Sequence, residues 1–345
     1  MNEHEFVIED TLAKMKSVME DFKDKKIRVA YSGGADSDIV MHLLRNNGYD
    51  VIGVFYDTGI EYKATKDHVQ DMISQGFRIE TIQAFRPVPT SNRVFGHPFI
   101  NKRVSDYLQR LQSNGFDFQT DGKLSFDEAY AKFPHSKASL RWFFNEFGDG
   151  SRFNIAYNKY LREFLVEFGL PFKVSGKCCD GAKKLPMKKY IKENGVDLLI
   201  LGMRKAEGGS RASAYKGCFV PARTYKYSMY MPLFWWKNAD REYYQDKMGI
   251  VNSACYTEYG LKRTGCAGCP FGRGFDAELD IIKVHEPKLH KGISNIFAPS
   301  YEWTRKYRQY VSELDGNNAT DDTIGNSKNP IPIQFPLWNM ADSVA

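Results

Sequence analysis

No apolar run in this chain approaches the ~18–20 residues that a membrane-spanning helix needs, so no such helix is expected. The opening MNEHEFVIEDTLAKMK is acidic and lacks the apolar centre of a signal peptide, which makes a reducing cytoplasm the expected location. There is no internal repeat and no basic tail; a net charge of +6 over 345 residues mildly favours an anionic substrate or polyanionic partner. Cysteine is missing from the first half. All six cysteines lie from Cys178 onward, a clustering that suits metal or redox chemistry better than a disulfide framework.

What is present is the material of a sizeable α/β core, with 42% hydrophobic residues, and a length that allows one large domain with insertions or two domains. Residues 9–24 carry Leu12, Met15, Val18, Met19 and Phe22 at helical spacing. Ile27–Tyr31 reads as a strand, SGGADS (Ser32–Ser37) as a polar turn, and the next stretch as a helix stopped at Asn47–Gly48. A strand at Val51–Tyr56 and a helix at about Glu61–Ser74 follow, an alternation that argues for a parallel sheet covered by helices. From about Phe85 to Gly150 the rhythm breaks into an aromatic and basic stretch. It resumes with helices near Ile155–Phe168 and Met187–Asn194 and an apolar strand at Asp197–Gly202. After about Asp315 the chain turns polar and then proline-rich, as in an extended tail or docking arm.

A strand running through a glycine turn into a helix gathers backbone N–H groups and the positive end of a helix dipole at one point, which suits a phosphate. Gly33 and Gly34 permit close approach, and Ser32 and Ser37 offer hydroxyls. A plain glycine turn is the other reading of the same residues. The tandem Cys178–Cys179 and the Cys266-x-x-Cys269 pair lie roughly 85 residues apart, so only folding brings them together; zinc, a redox disulfide and an iron–sulfur cluster all remain open to such thiols. Cys218 and Cys255 read as small buried residues, Cys255 being the better candidate for a reactive thiol.

Several of these segments together resemble the phosphoadenosine phosphosulfate (PAPS) reductase family of the PP-loop superfamily, over about residues 25–275. SGGADS is similar to the SGGxDS loop of PP-loop ATP pyrophosphatases, FYDTG (Phe55–Gly59) to an FxDTG segment, and LGMRKAEGGSRAS (Leu201–Ser213) to a GxRxxES..R segment in which Gly208 replaces the usual serine. KCCDGAKKLPM (Lys177–Met187) and GLKRTGCAGCP resemble the cluster-binding stretches of iron–sulfur adenylyl-sulfate reductases. The resemblance implies an adenine nucleotide alpha hydrolase-like, Rossmann-like fold: a parallel twisted sheet with helices on both faces, in an α/β domain made of residues 1–84 and 151–280. Residues 85–150 would be an insertion or lid, and 281–345 a helical or extended C-terminal region.

By the same resemblance, Ser32, Gly33, Gly34, Asp36, Ser37, Asp57, Thr58, Gly202, Arg204 and Arg211 bind ATP or PAPS. Asp36, Lys183 and Arg204 serve catalysis, and Cys178, Cys179, Cys266 and Cys269 hold a 4Fe–4S cluster. Two departures from the reductases point toward ATP α–β cleavage with Mg²⁺ followed by sulfur transfer. The loop keeps its full SGGxDS form, and no cysteine follows Cys269, where the reductases carry a nucleophilic one. A PAPS or adenylyl-sulfate reductase, and a nucleotide-binding redox regulator without catalysis, are the alternatives; a sulfur donor or reductant protein is an expected partner. The 85–150 stretch interleaves Arg86, Arg93, Lys102, Arg103, Arg110, Lys137 and Arg141 with Phe95, Phe99, Tyr107, Trp142, Phe143 and Phe144. Such a surface suits a nucleic acid acceptor through phosphate contacts and base stacking, while the same residues also suit a core with a solvated face.

Overall fold

The structure, a computed structural model, describes residues 2–208, 215–223 and 225–316. The chain divides into two compact units, one built from the residues up to Ala84 and Lys183–Cys266, the other from Phe85–Ala182 and the described residues that follow Cys266.

The first unit is built on a six-stranded sheet of order β3-β2-β1-β4-β6-β5. Its strands are β1 (Ile27–Tyr31), β2 (Ile52–Asp57), β3 (Ile79–Gln83), β4 (Leu198–Leu201), β5 (Phe219–Val220) and β6 (Ser228–Tyr230). All neighbours run parallel except β5, which pairs antiparallel with β6. Central β1 pairs Val29 with Gly53 on one side and with Ile200 on the other. Alternation along the strands divides two apolar layers, as a period of two demands. Val29, Tyr31, Phe55, Leu198, Ile200 and Tyr230 join Met15, Met19, Leu43, Leu44 and Tyr244 in one cluster. Val54, Leu199 and Met229 join Tyr190 and Ile191 in another. The helices Glu3–Asp21, Ala35–Asn46, Lys63–Ser74 and Asn238–Met248 supply residues to the first layer, and Leu185–Asn194 covers the second. The expected parallel sheet with helices on both faces is therefore present.

The strand order turns at β1 and β4: the chain after β1 proceeds outward through β2 and β3, whereas the chain after β4 proceeds the other way. Loops leaving the carboxyl ends of β1 and β4 consequently diverge and open a crevice, the usual ligand site of open parallel sheets.

The second unit is helical, with Val88–Phe95, Lys102–Ser113, Phe126–Lys132, Lys137–Phe143, Leu161–Phe168, Phe275–His285, Pro287–Ile296 and Ala298–Asp315. Its core is strongly aromatic, including Phe99, Phe116, Phe118, Trp142, Phe143, Phe164 and Tyr307. The division differs from the expected 85–150 insertion: residues 151–182 and the CxxC-following segment go with the helical unit. Apolar residues explain this, because Ile155, Leu161, Phe164 and Leu165 bury themselves among the insertion's aromatics rather than against the sheet.

The aromatic stretch is thus chiefly core. Phe99, Trp142 and Phe143 are buried, Tyr107 stacks on Trp142 at 5.0 Å between ring centroids, and Phe144 packs edge-on to Phe143. Phe95 lies under Arg86, 4.6 Å from the guanidinium carbon. Base stacking needs open ring faces, and most of these faces are taken.

Candidate active site

The phosphate loop is shaped by contacts on all sides. Gly33 has φ +66°, and a Cβ there would lie 2.8 Å from Thr65 Cγ2. Gly34 caps the helix Ala35–Asn46, and Ser37 Oγ donates to Gly34 O at 2.7 Å while accepting from Ser32 N and Gly34 N. One hydroxyl therefore folds the loop over the helix N-terminus, where amide groups and the dipole favour an anion. Tyr256 Oη lies 3.4 Å from Ala35 N and 3.2 Å from Thr264 Oγ1, closing the loop's far side. Burial raises the Tyr256 pKa, so the group stays a neutral hydroxyl.

Beneath the loop, Asp38 is fully buried between two donors: Tyr31 Oη at 2.7 Å and His68 Nε2 at 2.9 Å. Burial opposes charge on His68, but the hydrogen bond and charge of Asp38 outweigh it and raise the histidine pKa. Burial and the same carboxylate push the Tyr31 pKa far up. Asp38 thus ties Tyr31 and His68 together in the foundation of the loop.

A cleft of about 950 Å³ opens over this loop, within the size range of small-molecule sites. Ser32, Gly34, Asp36, Ser37, Lys183, Gly202 and Arg204 line it, whereas Gly33, Asp57 and Thr58 do not. Six cations (Lys183, Lys184, Arg204, Arg241, Lys262 and Arg263) face four carboxylates (Asp36, Glu61, Glu207 and Glu242) around it, so an anion meets a net positive wall. Arg211 lies outside the described residues.

Asp36 and Arg204, both expected at the site, are paired with each other. Arg204 Nε donates to Asp36 Oδ1 at 2.9 Å and Nη1 to Asn238 Oδ1 at 2.9 Å, with Arg204 only 3% exposed. Burial raises the Asp36 pKa, and the charge and hydrogen bond of Arg204 oppose the shift without cancelling it.

Asp57 is engaged by Lys66 Nζ at 2.9 Å and by Gly59 N at 2.9 Å. Thr58 is fully buried; its hydroxyl donates to Glu61 Oε1 at 2.7 Å and receives Cys266 Sγ at 3.6 Å. Lys183 Nζ stands 3.7 Å from the same Glu61 oxygen. Thr58 and Glu61 thus connect Cys266 to Lys183 in the cleft wall. Glu61, Asn238, Tyr256 and the Asp38–His68 pair were not singled out in the sequence. Only the second aspartate of SGGADSD, directly after the loop, offered a local signal.

Of the four cysteines in the pattern, Cys178 is buried and Cys179, Cys266 and Cys269 are half-buried. Asp180–Lys184, directly after the tandem pair, forms a π-helical turn, a feature frequent at functional positions. Gly268 has φ +58°, its N–H donates to Glu278 Oε1 at 3.0 Å, and Tyr301 Oη donates to its carbonyl. Among the described residues no group of three or more His, Cys, Asp or Glu side chains is arranged to hold a metal ion. Thiolates are donors suited to an iron–sulfur cluster or to zinc. Cys255, expected to be the more reactive of the other two, is fully buried with Sγ 3.5 Å from Thr65 Oγ1; Cys218 packs at the edge of the sheet's first core. A thiol buried as fully as Cys255 is shielded from reagents in solution. No described helix is long and apolar enough to cross a membrane.

No curated protein matches the chain. Among solved structures, the crystal structure of phosphoadenylyl-sulfate (PAPS) reductase from Candida auris in its phosphate complex is similar, with TM-score 0.41 and 12% identity over 74% of this chain and 87% of that one. Residues 150–271 match the profile of the phosphoadenosine phosphosulfate reductase domain, a stretch that holds Cys178, Cys179, Lys183, Arg204, Cys266 and Cys269 and leaves the phosphate loop outside it.

Proposed function

We propose that the chain is an adenine-nucleotide enzyme that cleaves ATP between the α and β phosphates and uses the adenylated intermediate for sulfur transfer. The observation that carries this reading is the complete SGGADS loop, folded over a helix N-terminus at the floor of a cationic cleft of about 950 Å³. In this reading Ser32, Gly34 and Ser37 bind phosphate oxygens, and Lys183 and Arg204 stabilise charge that develops as pyrophosphate leaves. Asp36 would hold Mg²⁺, which when bound would neutralise part of the phosphate charge. Cys178, Cys179, Cys266 and Cys269 would hold a 4Fe–4S cluster, which supplies redox or sulfur chemistry when bound. A nucleic acid acceptor is less favoured by the second unit than its sequence suggested, since most of the aromatic faces there are buried.

The match of residues 150–271 to the PAPS reductase domain favours a second reading, an enzyme acting on PAPS or adenylyl sulfate with an external thiol. The two readings separate by product. Anaerobic protein is incubated with ATP, Mg²⁺ and candidate acceptors while pyrophosphate is followed, and with PAPS and a thiol while sulfite is followed. Pyrophosphate release that disappears in Asp36→Asn supports the first reading. Sulfite release, with ATP untouched, replaces it by the second.

A further inference from the structure

Resting on the nucleotide reading of the cleft, we propose that Asp36 is a specificity-determining residue: it holds Arg204, and only an oxyanion able to take over that guanidinium is admitted. Arg204 is nearly fully buried, and its guanidinium donates to Asp36 Oδ1 from Nε and to Asn238 Oδ1 from Nη1, each at 2.9 Å. A guanidinium removed from water is stable only with partners of comparable strength. A phosphate or pyrophosphate can replace them, because its oxygens meet the fork of N–H groups bidentately. A small monoanion such as acetate brings less charge and gains too little to displace an internal carboxylate.

The exchange has a cost on the other side. Once Arg204 turns to the ligand, Asp36 is left facing Glu207 and the incoming anion, with Arg241 as the remaining nearby cation and Tyr256 neutral. Asp36 therefore opposes every anion in the absence of a metal, and it sets a threshold that highly charged oxyanions pass and others do not. A carboxylate with a merely structural role would have the opposite signature, since its removal would loosen the loop and weaken binding.

The test is calorimetric titration of the full chain with pyrophosphate, with ATP and with acetate, in EDTA without magnesium. Asp36→Asn is expected to bind pyrophosphate roughly tenfold or more tightly than the parent, on the scale of one charge-assisted hydrogen bond, and to discriminate less against acetate. Glu242→Gln removes a second cleft carboxylate that does not touch Arg204, and should change affinity far less. Asp36→Ser serves in the same way should the amide variant fail to fold. Unchanged or weaker pyrophosphate binding in the Asp36 variants, or an equal gain in Glu242→Gln, overturns the proposal and leaves the nucleotide reading in place. Absence of pyrophosphate and ATP binding in parent and variants alike overturns both.

Discussion

Gly202 lies directly against the backbone of Asp36: a Cβ at residue 202 would stand 2.8 Å from the carbonyl carbon and oxygen of Asp36 and from Ser37 N. The end of β4 thereby touches the first turn of the helix that follows β1, and this contact sets the floor of the cleft. Gly202→Ala is expected to force the two apart. A loss of about 1–3 kcal/mol in stability, the usual cost of overpacking, should accompany a larger loss of nucleotide affinity. Chemical denaturation and nucleotide titration check both; an alanine variant with parental affinity would show that the cleft tolerates the shift.

The Asp38–His68 pair predicts a pH dependence of stability. The folded-state pKa of His68 is raised above its unfolded value, so protonation stabilises the folded state. That contribution is complete below the unfolded value, about 6.5, and is lost as pH rises through the higher folded value. The stability difference between parent and His68→Gln should accordingly shrink from pH 6 toward pH 9. A difference that stays constant or grows over this range contradicts the assignment of charge to His68.

The four-cysteine pattern predicts a brown protein when purified without oxygen, with visible absorbance that bleaches on reduction. Cys266→Ala should lose iron and sulfide. Cys218→Ala, at the edge of the sheet's core, should keep them. Stoichiometric zinc without iron in anaerobic preparations would replace the cluster by a zinc site.

Trp142 distinguishes a core from a nucleic acid platform in the second unit. It is 1% exposed and stacked on Tyr107, so Trp142→Ala should cost about 3–5 kcal/mol. Denaturation of the full chain measures the loss. Parental stability combined with weakened binding to single-stranded nucleic acid would restore the stacking role.

Local chemistry was enough to reveal much of this protein from its sequence. The strand Ile27–Tyr31, the glycine turn and the helix after it are legible because hydrophobic period, glycine and helix-start residues all act within a few positions. Most of the cleft's phosphate-loop residues were named for the same reason. The N-terminal helix was legible too: Met15 and Met19, placed on one face by their spacing, are buried in the core. Strands β3, β5 and β6 were not, since IETIQ is mostly polar and SMY is only three residues long. Such short segments become strands only when a neighbour supplies the hydrogen bonds.

Tertiary structure alone decided the rest. Whether the aromatics near residue 142 stack on bases or on each other depends on which helices surround them, and composition is the same in both cases. Asp36 and Arg204 are 168 positions apart, and both were expected at the site, but their mutual hydrogen bond exists because β1 and β4 are neighbours in the sheet. Sequence thus determined which groups could bind a phosphate. The order of the strands decided that one of those groups holds another, because parallel pairing brings the carboxyl ends of distant strands to one edge.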